Sequence, residues 1–132
     1  MVVDTSVLLA IAFAEPHATW AAAELDAHAG DLCMSTVNLA EVLIHLRDRR
    51  PDAIAELEDR VLTLGLRYVP PSVEQARVAA QARLRFPLNL GDCFAYALAV
   101  EEDTSILTLD TDFRAVDRPV ILPSLADERD AS

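Results

Sequence analysis

Four acidic residues stand out because each ends or interrupts an apolar run. Asp4 follows Met1-Val2-Val3, Glu41 breaks Leu39-Ala40-Glu41-Val42-Leu43, Asp92 precedes the stretch Cys93 to Val100, and Asp110 follows Ile106-Leu107-Thr108-Leu109. Carboxylates crowded together repel and raise one another's pKa, so a cluster of four is tolerable only if cations neutralise it. An all-oxygen donor set suits Mg2+ or Mn2+. A cation held in this way reverses the local sign where a phosphate would sit, and it lets water attack a phosphodiester. Each acid also has a plainer role. Asp4 can cap a helix, Asp92 lies three residues after Asn89 as a capping acid, Glu41 can face solvent, and Asp110 and Asp112 can be turn residues.

Which role applies depends on the elements that carry the acids. Met1 to Val3 reads as a strand, and Asp4-Thr5-Ser6 as the start of a helix through Val7 to Ala14. Pro16 suits the first turn of a second helix, with Trp20, Ala23 and Ala27 at helical spacing and Gly30 as its stop. Residues 31–35 form a brief buried strand. Ser35 or Thr36 then caps a third helix with the stripe Leu39, Val42, Leu43 and Leu46, ending near Arg49-Arg50-Pro51. A fourth helix spans 52–64, closed by Gly65, and Leu66 to Val69 is a strand. Ser72 starts a fifth helix with the apolar positions Val73, Ala76, Ala80 and Leu84. Asn89 caps a sixth whose interior is apolar nearly all round, as in a buried helix. Strands follow at 105–109 and 119–122.

Strands alternating with helices imply α/β architecture, a parallel sheet covered on both faces. In open sheets of this kind ligands bind beyond the carboxyl ends of the strands, where strand order reverses. Asp4 and Asp110 close the first and fourth strands, and the helices bearing Glu41 and Asp92 begin at that same edge, so the four acids can converge there. Asn38 and His45 lie near the Glu41 face of their helix.

Composition bounds the alternatives. With 132 residues, 52% of them hydrophobic and 5% aromatic, the chain suits one domain with an aliphatic core. Residues 1–125 read as that domain and 126–132 as an acidic, disordered tail. Cys33 and Cys93 lie apart inside apolar runs, as free buried thiols do in a reducing compartment. An acid at position 4 does not suit a signal peptide, and no apolar run reaches membrane-spanning length, so a cytoplasmic protein with no membrane association is expected. A net charge of −11 argues against a broad basic face for nucleic acid, and any polyanion must be met locally by cations. His17, His28 and His45 lack zinc spacing, no Gly-x-Ser-x-Gly is present, and three glycines make no phosphate loop. All eleven basic residues are arginines. That disfavours receiver-like phosphoacceptor domains and haloacid-dehalogenase-type phosphatases, which use a lysine against the phosphoryl group. A binding module without catalysis is the other rival, disfavoured because all four acids are present.

Val-Val-Asp-Thr-Ser at 2–6, Asn-Leu-Ala-Glu-Val at 38–42, Asn-Leu-Gly-Asp-Cys-Phe-Ala-Tyr-Ala-Leu-Ala at 89–99 and Leu-Thr-Leu-Asp-Thr-Asp-Phe at 107–113 resemble the four acidic motifs of PIN domains, most closely those of VapC toxins from bacterial toxin–antitoxin pairs. The resemblance implies a three-layer α/β/α fold with four to five parallel strands. It implies a Mg2+- or Mn2+-dependent endoribonuclease, inhibited by a VapB-type antitoxin and usually homodimeric. Residue by residue, it makes Asp4 and Asp92 the principal metal ligands, has Glu41 and Asp110 complete the site, and has Ser6 orient Asp4. Asp112 replaces or assists Asp110 in some variants of the pattern. Arg47, Arg49, Arg50, Arg83, Arg85 and Arg114 are candidates to grip flanking phosphates of an RNA substrate.

Overall fold

Five short strands, β1 (Val2–Val3), β2 (Cys33–Ser35), β3 (Arg67–Val69), β4 (Ile106–Leu107) and β5 (Val120–Ile121), pair in the order β3-β2-β1-β4-β5. Every pairing is parallel, as crossover connections require. The computed structural model describes residues 1–124, 126 and 127. Strand alternation sends successive side chains to opposite faces. Val3, Met34 and Leu107 join one core, while Val2, Cys33 and Ile106 join the other.

Helices α1 (Thr5–Ala12), α2 (Ala18–Ala27), α3 (Thr36–Arg49) and α4 (Ile54–Leu62) contribute Val7, Leu8, Ala21, Leu25, Val42, Leu46 and Val61 to the first core. Helices α5 (Val73–Arg85) and α6 (Leu90–Glu102) cover the other face, where α6 buries Ala95 to Ala99 without interruption. The fold is thus the expected three-layer α/β/α, with five strands. Both cysteines are buried and free. Among the described residues no helix is long and apolar enough to cross a membrane.

Three local expectations need correction. Helix α2 begins at Ala18, not at Pro16. His17 is its N-cap at φ 74°, and with Ala14 at φ 49° it turns the chain sharply through the left-handed region. The helix expected over 52–64 opens as a 3-10 turn, Pro51–Ala53, before α4 proper. On α5 the apolar stripe Val73, Ala76, Ala80 and Leu84 faces outward, with Val73 75% and Leu84 90% exposed. The inward face is Gln75, Ala79 and Ala82, because small side chains let α5 lie close to α6. Gln75 is accommodated there by donating from Nε2 to Glu101 Oε2 at 2.6 Å. At the end of the described chain, Asp127 accepts bonds from the backbone and hydroxyl of Ser124, both at 2.7 Å. Residues 128–132 of the expected tail lie outside the described residues.

Candidate active site

The chain winds from β1 through β2 to β3 on one side, then returns to β4 and β5 on the other, so strand order reverses between β1 and β4. Asp4 leaves the carboxyl end of β1 there, its backbone N–H donating to Leu107 O at 3.0 Å. It occupies the N-cap position of α1 but its side chain makes no capping bond. Instead Asp4 Oδ2 accepts from the Ser6 and Thr108 hydroxyls, both at 2.9 Å. Each hydroxyl in turn accepts a backbone N–H at 3.0 Å, Ser6 from Leu109 and Thr108 from Asp110. The single proton of each is therefore committed to Asp4, and the two chain ends are laced together. Oδ1 of Asp4 is buried without any partner. Burial pushes the Asp4 carboxyl above its ordinary pKa, against the lowering effect of Thr108 and Ser6.

The other three acids repeat the pattern. Asp92 closes a capping box with Asn89: its backbone N–H donates to Asn89 Oδ1 at 2.9 Å, and its own Oδ2 accepts Asn89 N–H at 3.2 Å. Glu41 Oε1 accepts from Thr5 Oγ1 at 2.8 Å and Asn38 Nδ2 at 3.0 Å, so it is not simply a solvated residue. Asp110 caps the 3-10 turn Thr111–Ala115 by accepting Asp112 N–H on Oδ1 at 2.9 Å. In all four, one oxygen is held by protein donors while the second accepts no bond from the protein among the described residues.

The acids also feel one another. Burial raises the Asp92 carboxyl to about 7, with further increments from the negative charges of Asp4, Asp110 and Glu41, opposed by the Asn89 N–H. Asp92 is buried, and a cation beside it would favour its ionised form. Among the described residues no three acidic, histidine or cysteine side chains stand as a finished ligand set around one point. A hard cation here would take one or two carboxylates directly and keep waters at its other positions. The buried, partnerless Oδ1 of Asp4 is the atom such an ion would satisfy.

The structure therefore brings Asp4, Glu41, Asp92, Asp110 and Ser6 to one edge. Asp112 is exposed and joins only through its backbone, and His45 is exposed, away from these bonds. The sequence places Asn38 near Glu41 without giving it a role, and it singles out neither Thr5 nor Thr108 as a partner of the acids. A fully buried hydroxyl or amide must find a partner, and Thr108 in an apolar strand beside an acid was the available signal. Glycine at 91 leaves room for the Glu41 carboxylate, which a Cβ there would push aside. Of the six candidate arginines, Arg47 pairs with Glu58, Arg50 with Asp52 and Arg85 with Asp117, while Arg49 stacks on Phe13. Arg83 and Arg114 have no ion pair among the described residues.

Comparison with known proteins is consistent throughout. The PIN domain family model matches residues 1–119. Ribonuclease VapC36 of Mycobacterium tuberculosis is 35% identical over 126 residues, covering 89% of this chain and 90% of the relative. Ribonuclease VapC28 of the same organism is 34% identical over 133 residues, covering 89% and 99%. Among solved structures, Mycobacterium tuberculosis VapC20, described as a sarcin-ricin loop cleaving toxin, superposes with a TM-score of 0.79 at 17% identity, covering 92% of this chain and 98% of that one. FitAcB from Neisseria gonorrhoeae gives 0.75 at 22% identity, covering 91% and 95%. Four motifs in the right order, their acids gathered at the sheet's switch point, and relatives matched nearly end to end lead to one assignment: this chain is a PIN-domain protein of the VapC ribonuclease family.

Proposed function

We propose that the chain is the toxin of a VapBC-type toxin–antitoxin pair, a cytoplasmic endoribonuclease that hydrolyses RNA phosphodiester bonds with Mg2+ or Mn2+. The observation that carries this reading is the set of four carboxylates, each with one oxygen held by the protein and the other unpaired, at the sheet's switch point. A bound divalent cation would supply an activated water and offset charge on the phosphorane-like transition state. Asp4 and Asp92 are the principal ligands, with Glu41 and Asp110 completing the site. Ser6 and Thr108 fix the Asp4 rotamer by committing both protons to Oδ2. Arg83 and Arg114 hold flanking phosphates, which the net charge of −11 would otherwise repel. The products carry a 3′-hydroxyl and a 5′-phosphate.

Relatives of this fold include toxin–antitoxin complexes such as one from Klebsiella pneumoniae. By the same reading a VapB-type antitoxin inhibits this chain by laying a segment across the acidic edge and inserting a basic side chain. The exposed Val73 and Leu84 on α5 and Leu90 on α6 form the homodimer face. The test is to express the chain with and without its neighbouring reading frame and to map RNA ends. Growth arrest with discrete new ends, relieved by the neighbour, is expected. Ends that Asp4→Asn and Asp92→Asn variants still generate would remove the mechanism.

A further inference from the structure

We propose that Asn38 is a positioning residue that fixes the Glu41 carboxylate and locks α3 to the start of α6, a role that rests on the metal-dependent nuclease reading above. Asn38 is fully buried. Its amide nitrogen faces three acceptors: Gly91 O at 3.0 Å, Glu41 Oε1 at 3.0 Å and Thr5 Oγ1 at 3.2 Å. Only the NH2 end of the amide can serve three acceptors, so the network sets its orientation. Two protons cover three partners if one is shared between Thr5 and Glu41, which sit together because the Thr5 hydroxyl itself donates to Glu41 Oε1.

The consequence is geometric. The Gly91 carbonyl belongs to the residue before Asp92, and the Glu41 carboxylate fills the space a Cβ on Gly91 would take. Asn38 thus bonds at once to the side chain of one site acid and to the backbone that aims another. Oε1 of Glu41 is held by two donors, and the carboxylate as a whole lies against Gly91, the residue before Asp92. Removing the amide frees Glu41 to swing and lets the start of α6 shift, so both acids lose register together. Groups that orient metal-site ligands without touching the ion commonly set affinity and rate by about tenfold to a hundredfold.

The experiment compares Asn38→Leu, which keeps the volume but not the donors, with Thr5→Val and with Leu46→Ala, a core truncation on the same helix remote from these bonds. Mn2+ affinity is read by electron paramagnetic resonance, and kcat and KM on a short RNA are read separately. Asn38→Leu is expected to weaken Mn2+ binding roughly tenfold or more and to lower kcat at least as much, with KM within about threefold. Thr5→Val should shift both the same way by less, while Leu46→Ala loses thermal stability and keeps Mn2+ affinity within twofold. Wild-type affinity in Asn38→Leu, or a loss no greater than in Leu46→Ala, overturns the role. If the wild type binds Mn2+ but cuts no RNA while Asn38→Leu still weakens the ion, the nuclease reading fails and the positioning role stands. A wild type that binds no Mn2+ overturns both.

Discussion

A carboxylate that buries one oxygen without a partner is held in an unfavourable state, and Asp4 is in that state beside an Asp92 raised to about 7. In the unfolded chain Asp92 ionises near 3.8, so between the two values the folded form binds the extra proton. Its contribution to stability is therefore fully present below about pH 4 and is lost as pH rises through about 7. In chelator, Asp92→Asn should melt with the wild type near pH 4 and above it at pH 8. The gain there is about 1–2 kcal/mol after allowance for solvent screening, or a few degrees. Thermal melts across that range check this, and added Mn2+ should restore the wild type alone. Both Asp4→Asn and Asp92→Asn should lower RNA cleavage by roughly a hundredfold or more while remaining folded, since on the proposed reading each removes a ligand of the cation. These acids were legible in the sequence because each breaks an apolar run. The roles of Thr5, Asn38 and Thr108 were not, although Asn38 was placed near Glu41, because amides and hydroxyls are common and only the fold shows which of them meet a carboxylate.

Helix α6 combines a capping box and an apolar interior, both visible as patterns in the sequence, with a glycine pressed on Glu41, which only the fold reveals. Gly91→Ala separates helix stability from site geometry. Gly91 lies in the first turn of α6, where alanine gains less over glycine than the ~1 kcal/mol of a helix interior, and its methyl group must displace the flexible end of Glu41. The expected outcome is an unchanged or raised melting temperature with cleavage lowered about tenfold or more, as misplacement of a supporting group produces. Leu98→Ala, by contrast, should cost about 2–5 kcal/mol in denaturant melts, because Leu98 is fully buried. Helix α5 marks where sequence reading fails. Its stripe of larger apolar residues gives the right period but the wrong side, since closeness to α6 selects alanines and even a glutamine for the interior. The start of α2 fails because hydrophobic period carries no sign of a left-handed residue: His17 caps the helix at positive φ, and the helix begins one residue later, not at proline.

Across the whole chain, the layer architecture followed from alternating strands and helices, whereas the order β3-β2-β1-β4-β5 did not, because hydrophobic pattern carries no record of which strands become neighbours. Outward apolar residues on α5 are the surface cost of that packing, and if they join two copies, Leu84→Arg should yield monomers in light scattering without loss of melting temperature. Inhibition by the antitoxin should weaken steeply as salt rises and be blunted in Asp92→Asn, in line with an electrostatic contact. The lacing of Asp4 to Thr108 spans 104 positions of sequence. A chain emerging from the ribosome thus carries Asp4 until Thr108 arrives, 104 positions later, to hold it, and such distant partners meet only late. Cleavage thus has to await a late residue of its own chain, so stalled nascent chains ending before Thr108 should leave RNA intact where released chains cut it.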